Sequence, residues 1–425
     1  MNAFSVSKGR KSVAKRDENF EVEIIGMAHG GSGFGRYRGR TVFVPFTIPG
    51  ERVLVRPVSQ AEHYIHAQGV RLLEASADRV YPACEVFGAN GCVRCHWQHM
   101  TYEAQLLLKQ DVLADQLERV GKLRNVDVRP TIPSPAQWGY HYHMTFVVTP
   151  DGRLGIPGRD PKAIVTHHEC QLLHPDLLVL YDSLDLDLTG ISRVRLQLGH
   201  DGAQMLIFTV TEDAAPELEA DFPASINLIL PSNEPVNLIG ESHSRYVLNG
   251  RTVRVTAGSY IRPNVDQIPN LVDALESLLD LTDGERVLDL YAGVGIFSAA
   301  LARRAALVTL VESYPPAVTD ADLNLSDFDN VDVIEGGVEA VLESLDENYD
   351  AAVIDPPSNG VPGAVINELK RLQVERIVYV SDDPATLARD SRRLAKAGYK
   401  LVVAQPIDLS PQTYYVDTLA LYKNT

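Results

Sequence analysis

Three short motifs near the C-terminal end of the chain place glycine and carboxylate residues where they could bind a nucleotide-type ligand. A strand-like segment ends in Asp289, and Gly293 and Gly295 follow it. Glycines at these positions let the backbone turn tightly and bring a ligand close to the start of a helix. The next strand-like segment ends in Glu312, where a carboxylate can accept hydrogen bonds from ribose hydroxyl groups. Asp355 ends a further strand-like segment, so the motifs together predict one ligand site at the edge of a sheet.

The cysteines form a second candidate site. Cys84, Cys92 and Cys95 have the spacing C-x7-C-x2-C, and Cys170 stands alone further along the chain. Four thiolates suit either an iron–sulfur cluster or a structural zinc ion. Zinc sites more often consist of two close pairs, so the three-plus-one spacing favours a cluster and leaves zinc as the alternative. His167 lies nearby, but neighbouring histidines are more typical of core or surface positions than of metal ligands.

Alternating strand and helix patterns in the last third of the chain predict the doubly wound α/β sheet that positions the first site. Two amphipathic helices are predicted earlier, over residues 102–120 and 268–279. The stretch 123–250 mixes strand-like and other segments and predicts an α+β central domain. The strand candidates of the C-terminal sheet are RVLDLYA, LVTLVES, VDVIEGG, YDAAVIDPP, RIVYVSD, KLVVAQPI and DTLALYK.

Short apolar or alternating segments between residues 20 and 73 predict a small five-stranded β-barrel, close to the barrels that bind nucleic acids. Residues 29–40 contain five glycines and three arginines and are predicted to form a loop. Arginines on such a loop suit phosphate contact, and Phe34 and Tyr37 suit base stacking. A plain hairpin loop is the alternative interpretation.

Composition and charge limit the class of protein. The chain has 425 residues, of which 45% are hydrophobic and 22% charged, so it can bury a sizeable core. No run of 18 apolar residues is present, which argues against a membrane partner, and the low cysteine content favours a cytoplasmic, reducing setting. The formal charge is −17, yet residues 1–80 contain 12 Lys and Arg against 8 Asp and Glu. A nucleic-acid partner is therefore expected to contact that end first, although a solvated basic tail explains the charge alone.

Motifs along nearly the whole chain resemble those of the RNA (uracil-5-)-methyltransferase family, which makes 5-methyluridine in transfer or ribosomal RNA. The resemblance implies a TRAM barrel, a Rossmann-like domain and S-adenosylmethionine as methyl donor. It implies that Arg262, Tyr291, Glu312 and Asp355 bind this cofactor beside the two glycines of the turn. The matching segments, in the family's order, are GMAHGGSGFGR, VFVPFTIPGERVLV, SADRVYPAC, CEVFGANGCVRCHWQHMTYEAQLLLK, SYIRPN, VLDLYAGVGIFS, DPPSNG, VSDDPATLARD and TYYVDTLAL.

The resemblance also implies that the four cysteines hold a 4Fe–4S cluster with a role in structure or in RNA positioning. Ribosomal or transfer RNA is the expected partner, and a monomer is favoured over an oligomer. The implied domains are a flexible basic tail at 1–18, a TRAM-like RNA-binding barrel at 19–80, a cluster-binding α+β domain at 81–250 and a methyltransferase domain at 251–425.

Four positions depart from the family's pattern. Asp382 stands where the family has the cysteine that adds to uracil C6, and each of the four cysteines is already assigned to the cluster. Asp417 replaces the usual glutamate base, Arg262 replaces a glutamine, and Ser358 replaces an arginine. A carboxylate is a hard, weak nucleophile, so the covalent route to uracil C5 is not expected.

The prediction is instead methyl transfer to an atom that needs no covalent activation, such as a ring or exocyclic nitrogen, with Asp382 and Asp417 as the catalytic residues. Asp382 would act as the proton acceptor. A catalytically silent RNA-binding relative, such as a ribosome-assembly factor, is the main alternative. Uracil-5 methylation by an unexplained route is the third.

Overall fold

The computed structural model describes residues 19–89, 91–160, 162–167, 169–212 and 223–425. The chain divides into two units, of which the first ends at residue 79 and the second begins at residue 80. The predicted basic tail at 1–18 lies outside the described residues. No helix in the described part of the chain is both long enough and apolar enough to cross a membrane.

The first unit contains a closed five-stranded barrel, which confirms the predicted architecture. Alternate side chains point inward, among them Val22, Ile24, Val42 and Val44, and form an aliphatic core. The strands are β1 (Phe20–Met27), β2 (Gly33–Tyr37), β3 (Arg40–Val44), β4 (Arg52–Gln60) and β5 (Tyr64–Glu74), in the order β1-β2-β3-β5-β4 around the barrel.

The glycine-rich segment differs from the predicted loop, because residues 33–37 form β2. A Cβ on Gly35 would lie 2.1 Å from the Glu23 carbonyl oxygen, so this glycine allows close packing of two strands. Tyr37 stacks on Phe20 with ring centroids 3.8 Å apart. The Tyr37 ring is therefore engaged with the barrel core and is not displayed on a loop for base stacking, whereas Phe34 does face outward.

The second unit begins with the cysteine segment and a helix that confirms the prediction over 102–120. The central elements are α1 (Tyr102–Arg119), β6 (Asp127–Val128), β7 (His143–Val148), β8 (Leu154–Pro157), β9 (Ile164–Val165), α2 (Pro175–Ser183), β10 (Ile191–Leu198), β11 (Gln204–Val210), β12 (Ala224–Ile229), β13 (Pro235–Ile239), β14 (His243–Leu248) and β15 (Arg251–Thr256). A mixed sheet runs in the order β13-β12-β11-β10-β7-β8-β9, and β14 pairs with β15.

All of the predicted C-terminal strands form one sheet, in the order β18-β17-β16-β19-β20-β22-β21, and β6 adds an unpredicted edge strand. The helix predicted over 268–279 is also present. The elements are α3 (Ile268–Leu279), β16 (Arg286–Leu290), α4 (Ile296–Leu301), β17 (Leu307–Glu312), α5 (Pro315–Asn324), β18 (Val331–Glu335), α6 (Val338–Ser344), β19 (Ala351–Ile354), α7 (Gly363–Arg371), β20 (Arg376–Ser381), α8 (Pro384–Lys396), β21 (Tyr399–Ile407) and β22 (Asp417–Asn424).

The C-terminal sheet has helices on both faces because its strands are apolar on both sides. The four residues of β19 are all buried, and α3 buries an apolar stripe that includes Leu271, Val272 and Leu275. Parallel strands β16, β17, β19 and β20 end at the same edge of the sheet. Residues that follow these strands are thereby brought together.

Candidate functional site

A cavity of about 410 Å³ opens at the carboxyl edge of the C-terminal sheet. Most of the predicted site residues follow strands that end at this edge, as expected for a doubly wound sheet. Arg262 and Asp417 are the exceptions, since Arg262 follows β15 and Asp417 begins β22. Gly295 follows β16 but does not line the cavity. The predicted residues in the cavity wall are Arg262, Tyr291, Gly293, Glu312, Asp355, Asp382 and Asp417.

The turn between β16 and α4 adopts left-handed backbone conformations. The angle φ is +60° at Tyr291, +57° at Gly293 and +83° at Gly295. A Cβ on Gly295 would lie 2.8 Å from the Leu325 side chain, so both the backbone angle and the available space require glycine. A tyrosine in this conformation is strained, and such strain is typical of ligand sites.

Glu312 connects the second strand of the sheet to this turn. Its Oε2 accepts the Gly293 N–H at 2.9 Å, and its Oε1 accepts the N–H groups of Ser313 at 2.6 Å and Tyr314 at 2.8 Å. Oε2 keeps a lone pair for a further donor, because a carboxylate oxygen can accept two hydrogen bonds. The glutamate is therefore fixed in position and can still bind a hydroxyl group.

Asp289 lies behind the turn and is fully buried. The Ser298 hydroxyl donates to its Oδ2 at 2.6 Å and joins β16 to α4, while no donor among the described residues contacts its Oδ1. Burial raises the pKa of Asp289 to about 7, Asp355 adds to this rise, and the Ser298 hydrogen bond opposes it. A cation bound near the turn would favour the ionised form.

Arg262 and Asp355 form an ion pair in the cavity wall. Arg262 Nη2 contacts both Asp355 carboxylate oxygens at 2.8 Å, and the two side chains are only 15% and 20% exposed. Burial alone would lower the pKa of Arg262, but the Asp355 carboxylate outweighs burial and raises it. Burial raises the pKa of Asp355, and Arg262 opposes this rise. Asp355 is thus already engaged by a cation.

Two of the residues that depart from the family's pattern contact each other. The Ser358 hydroxyl donates to Asp382 Oδ2 at 2.7 Å, and Asp382 is exposed in the cavity. Asp417 is buried, and burial raises its pKa to about 7, with Arg262 and Lys109 opposing the rise and Asp382 adding to it. An accessible carboxylate beside a carboxyl group that titrates near neutral pH can accept and hold a proton.

The described lining of this cavity is strongly acidic. The carboxyl groups of Glu312, Asp355, Asp382 and Asp417 face a single guanidinium group, that of Arg262. The apolar part of the wall includes Ile268, Leu271, Ile296, Phe297, Pro356 and Pro357. An acidic and partly apolar wall suits a ligand that combines a positive charge with a flat apolar ring.

The four predicted metal ligands converge on a second and much smaller cavity, of about 20 Å³. Cys84, Cys92 and Cys95 reach it from one segment, Cys170 reaches it from the loop before α2, and all four are free thiols. Burial raises the pKa of Cys92 and Cys170, and it raises the pKa of Cys95 to about 12. His167 joins the group, with its Nε2 3.7 Å from Cys84 Sγ.

The arrangement of these thiols bears on the kind of metal group they could hold. No set of three or more His, Cys, Asp or Glu side chains in the described residues is arranged to hold one metal ion. A zinc ion needs its thiolate ligands about 2.3 Å from a single point. A 4Fe–4S cluster takes each cysteine on a different iron and so spaces the sulfur atoms further apart. The four thiols meet at one cavity, and the predicted cluster stays a prediction.

The segment that carries Cys84, Cys92 and Cys95 is hydrogen-bonded to the loop that precedes Asp417. The His96 N–H donates to the Gln412 carbonyl oxygen at 2.9 Å. Lys109 of α1 is fully buried and donates to Asp408 Oδ1 at 2.7 Å. A buried lysine and aspartate stabilise each other only in close contact, so these bonds fix the loop relative to α1. The position of Asp417 thus depends on the segment that carries the cysteines.

Sequence reasoning missed three residues of these sites. Tyr260 lines the acidic cavity and is 67% exposed. Phe297 lines the same cavity, and the Arg262 guanidinium lies over its ring at 6.0 Å. Their only signal was their presence within the motifs SYIRPN and VLDLYAGVGIFS. Lys109 gave no signal, because a lysine on an amphipathic helix is normally solvated.

Two family models match the chain. The TRAM domain model matches residues 15–68, and the model described as conserved hypothetical protein 95 matches residues 247–397. An RNA methyltransferase of Synechocystis is 30% identical over 95% of both chains. One of Streptomyces avermitilis is 32% identical over 95% of this chain and 98% of its own.

The chain belongs to the RNA methyltransferase family.

The fold of this RNA methyltransferase family member is also that of a solved structure. The tRNA (uracil-54, C5)-methyltransferase of Pyrococcus abyssi, in complex with S-adenosyl-L-homocysteine, matches with a TM-score of 0.71 over 95% of this chain and 100% of its own. The two chains are 24% identical, a level at which the match shows a shared fold. The predicted fold class, a barrel followed by α+β and Rossmann-like parts, is confirmed.

Proposed function

We propose that the protein transfers a methyl group from S-adenosylmethionine to a base of transfer or ribosomal RNA in the cytoplasm. One observation carries the proposal: the acidic cavity that contains the glycine turn and Glu312 also contains Asp382 and Asp417. The cavity therefore has two parts: a cofactor half around the glycine turn and Glu312, and a base half around Asp382 and Asp417. Membership of the RNA methyltransferase family and the TRAM match support RNA as the substrate class.

In the cofactor half, the residues around the turn bind S-adenosylmethionine, which when bound supplies an electrophilic methyl group. Glu312 accepts a hydrogen bond from a ribose hydroxyl group through the lone pair left on Oε2. Tyr291 and Gly293 contact the ligand from the turn, and Gly295 keeps that turn in shape. Asp355 places negative charge toward the cationic centre, which its ion pair with Arg262 moderates.

In the base half, the carboxylates of Asp382 and Asp417 accept the proton that the base releases. All four cysteines lie around the other cavity, so the chain has no thiol to add to C6 of a pyrimidine. A ring or exocyclic nitrogen needs no such activation: its lone pair forms the N–CH₃ bond as the S–CH₃ bond breaks. The proton released from nitrogen passes to Asp382, which Ser358 orients. Asp417 is the nearby second acceptor, because its pKa of about 7 lets it exchange a proton at neutral pH.

The proposal includes a 4Fe–4S cluster held by Cys84, Cys92, Cys95 and Cys170, with zinc as the alternative. Methyl transfer needs no electrons, so the cluster's role is to hold the cysteine segment against the central domain and the loop before Asp417. The proposed division into an RNA-binding barrel at 19–80, a cluster-binding domain at 81–250 and a methyltransferase domain at 251–425 follows the same roles.

One contact favours a second candidate, a catalytically silent RNA-binding relative such as a ribosome-assembly factor. The ion pair between Arg262 and Asp355 already engages a carboxylate that the cofactor would otherwise contact. If that pair closes the pocket, the chain keeps its fold and RNA partner without methyl transfer. Binding of S-adenosylmethionine, measured by calorimetry, separates the two candidates.

The decisive experiment is mass spectrometry of nucleosides from transfer and ribosomal RNA of cells with and without the gene. We expect one N-methylated nucleoside to disappear in the deletion strain. Purified protein with methyl-labelled S-adenosylmethionine should restore it on RNA from that strain, and Asp382→Asn protein should not. Loss of 5-methyluridine instead would overturn the nitrogen assignment. An unchanged nucleoside profile with no cofactor binding would establish the silent candidate.

A further inference from the structure

The base half of the acidic cavity offers hydrogen-bond acceptors that still have free lone pairs. Asp382 Oδ2 accepts the Ser358 hydroxyl at 2.7 Å, and no described residue donates to Oδ1 of the same carboxylate. The Asp417 carboxyl group also lines the cavity, and it accepts no hydrogen bond from the described residues. Because Asp382 is exposed and Asp417 is buried, Asp382 is the carboxylate that an entering base meets first.

Side-chain donors are fewer than acceptors in the same part of the cavity. The Ser358 hydroxyl hydrogen is already used on Asp382, and the Tyr260 hydroxyl can act either as donor or as acceptor. Both hydrogen bonds from Arg262 to Asp355 leave from Nη2, so the other N–H groups of this guanidinium can still donate. A base that fits here must therefore donate toward the carboxylates and accept from Arg262.

The four RNA bases differ in what they present at the Watson–Crick edge, which proteins reach on unpaired bases. Uracil presents one N–H group between two carbonyl oxygens. Adenine and cytosine each present one amino group beside a ring nitrogen that carries a lone pair. Guanine presents N1–H and the N2 amino group side by side, next to the O6 carbonyl oxygen. Guanine thus carries two adjacent donors, and a carboxylate accepts such a pair with both oxygens, as it does from arginine.

Each of the other three bases would place a lone pair against Asp382. A carbonyl oxygen or an unprotonated ring nitrogen that faces a carboxylate forms no hydrogen bond with it, and the two negative ends repel each other. Asp417 adds a second carboxyl group close enough to influence Asp382 electrostatically. The two side chains therefore disfavour uracil, adenine and cytosine as well as attracting guanine, and both effects contribute to specificity.

We propose that the target base is guanine and that the methyl group is transferred to its N2 amino nitrogen. Asp382 accepts hydrogen bonds from N1–H and from one N2–H, and Arg262 donates to O6. The proposal rests on the proposed function, because it names the base that the same cavity holds. Guanine thus takes the place of the uracil that the resembling uracil-5 family methylates.

The N2 nitrogen suits methyl transfer that is assisted by a weak base. Its lone pair forms the N–CH₃ bond as the S–CH₃ bond of the methyl donor breaks, and the proton that N2 loses passes to the Asp382 carboxylate, which becomes a carboxylic acid. N1 has no lone pair in the ring plane until its proton has been removed. A carboxylate, with an ordinary pKa of about 3.9, is a weak base for that earlier step. The hydrogen bond from N1 therefore positions the base, and the one from N2 carries the released proton.

The first test uses the full chain, RNA from the deletion strain and S-adenosylmethionine with a labelled methyl group. Digestion and mass spectrometry identify the labelled nucleoside, and we expect N2-methylguanosine. Label in 1-methylguanosine, or in a methylated adenosine, cytidine or uridine, would overturn this inference while leaving methyl transfer to RNA intact. No label in any nucleoside would overturn the proposed function and this inference together.

The second test uses a synthetic RNA hairpin that carries the modified guanosine, located by mass spectrometry of RNA fragments. Inosine at this position keeps N1–H and O6 but lacks the amino group, so it should receive no methyl group. 2-Aminopurine keeps the amino group but has a lone pair at N1 and no O6. Its hairpin should bind roughly ten- to a hundredfold more weakly, measured by fluorescence anisotropy with S-adenosyl-L-homocysteine present so that no reaction occurs. 7-Deazaguanosine changes the opposite edge of the base, and this matched control should behave like guanosine.

The variant Asp382→Asn tests whether this side chain recognises the base. Asparagine offers one donor and one acceptor, which match the N1 lone pair and the amino group of 2-aminopurine. The ratio of the Kd for the 2-aminopurine hairpin to that for the guanosine hairpin should therefore fall about tenfold or more, and the effect of the missing O6 cancels in this comparison. Asp322→Asn, on the exposed side of α5, is the control and should keep the wild-type ratio. An unchanged ratio in Asp382→Asn, or methyl transfer to the inosine hairpin, would overturn the proposal.

Discussion

The two cavities of the second unit are built by opposite means. The acidic cavity measures about 410 Å³ and is assembled by strand ends that follow one another in the chain. The cysteine cavity measures about 20 Å³ and joins Cys84, Cys92 and Cys95 to Cys170, and none of these four residues lies in a helix or strand. The first has room for a ligand that enters and leaves. The second is lined by four thiols and has little free volume.

The two cavities also differ in the charges of the side chains that line them. The acidic cavity keeps several carboxylates near one another, with Arg262 and backbone N–H groups as partial compensation, and a cationic ligand would complete the balance. In the cysteine cavity, burial raises the pKa of Cys92, Cys95 and Cys170, so these groups stay neutral without a metal. The two cavities therefore differ in charge as well as in volume.

The largest effect is expected at the cysteine cavity. Purified anaerobically, the protein should carry about four irons per chain, and Cys170→Ala should carry none, because the remaining thiols cannot complete the cluster's ligand set. Iron and sulfide assays with visible absorption measure this. Gln171→Ala, at the adjacent residue lining the same cavity, is the control and should keep its iron. One zinc ion per chain in the wild type, in place of iron, would contradict the prediction of a cluster.

The next effect concerns Asp382 in the open cavity. Asp382→Asn should lower the rate of methyl transfer by roughly 10²- to 10⁴-fold, the contribution typical of a general base, while S-adenosylmethionine affinity stays the same. Single-turnover kinetics and calorimetry measure the two quantities. Asp322→Asn, on the exposed side of α5, is the matched control. Wild-type protein should also form no denaturation-resistant adduct with RNA that contains 5-fluorouridine, and such an adduct would restore covalent uracil chemistry.

A smaller effect is expected at Glu312. Loss of a hydrogen bond to a charged group costs about 1.5–3 kcal/mol, so Glu312→Ala should weaken cofactor binding roughly ten- to a hundredfold. Calorimetric titration measures the change. Glu343→Ala, an exposed position on α6, should bind normally. Equal affinities in the two variants would mean that β17 does not contribute to the cofactor site.

The smallest effect, taken per pH unit, is a pH dependence of stability to which Asp289 contributes. Its pKa is raised from the ordinary value to about 7, so the folded protein holds a proton that the unfolded chain releases. Stability from this group is complete below about pH 4 and is lost as the pH rises toward 7, by about 1.4 kcal/mol per pH unit. Asp417 and the buried histidines titrate in both proteins alike. The difference in unfolding free energy between the wild type and Asp289→Asn should therefore fall by this amount per pH unit as the pH is raised from 4 to 7 in denaturant titrations. Asp283→Asn, which is exposed, should behave like the wild type, and an equal slope in Asp289→Asn would exclude Asp289 as the titrating group.

Local patterns predicted most of the secondary structure that surrounds both cavities. The helix over 268–279 follows from the spacing of Leu271, Leu275 and Leu278, because residues three or four apart share one face. The strands of the C-terminal sheet follow from short apolar runs, since both faces of that sheet are covered. The prediction of a loop over residues 33–37 was wrong, because glycines there allow close packing of strands. The sequence alone does not distinguish such glycines from those of a turn.

For the candidate site too, the sequence predicted some features and left others undetermined. The order of Gly293, Glu312 and Asp355 along strand–helix units was enough to expect them at one sheet edge, since the connections of such units are short and of fixed hand. The count of cysteines was enough to show that no thiol remains for Asp382's position. These inferences need only chain order and composition, which the amino-acid sequence contains directly.

Only the tertiary structure decided which of these groups touch. The contact of Ser358 with Asp382, the ion pair of Arg262 with Asp355 and the approach of His167 to Cys84 each join residues that are more than 20 positions apart. Such contacts depend on how helices and sheets pack, because a shift of a few ångströms makes or breaks a hydrogen bond while leaving every local pattern unchanged. Chain order thus determined which residues could line the two cavities, and packing determined which of them form hydrogen bonds and ion pairs.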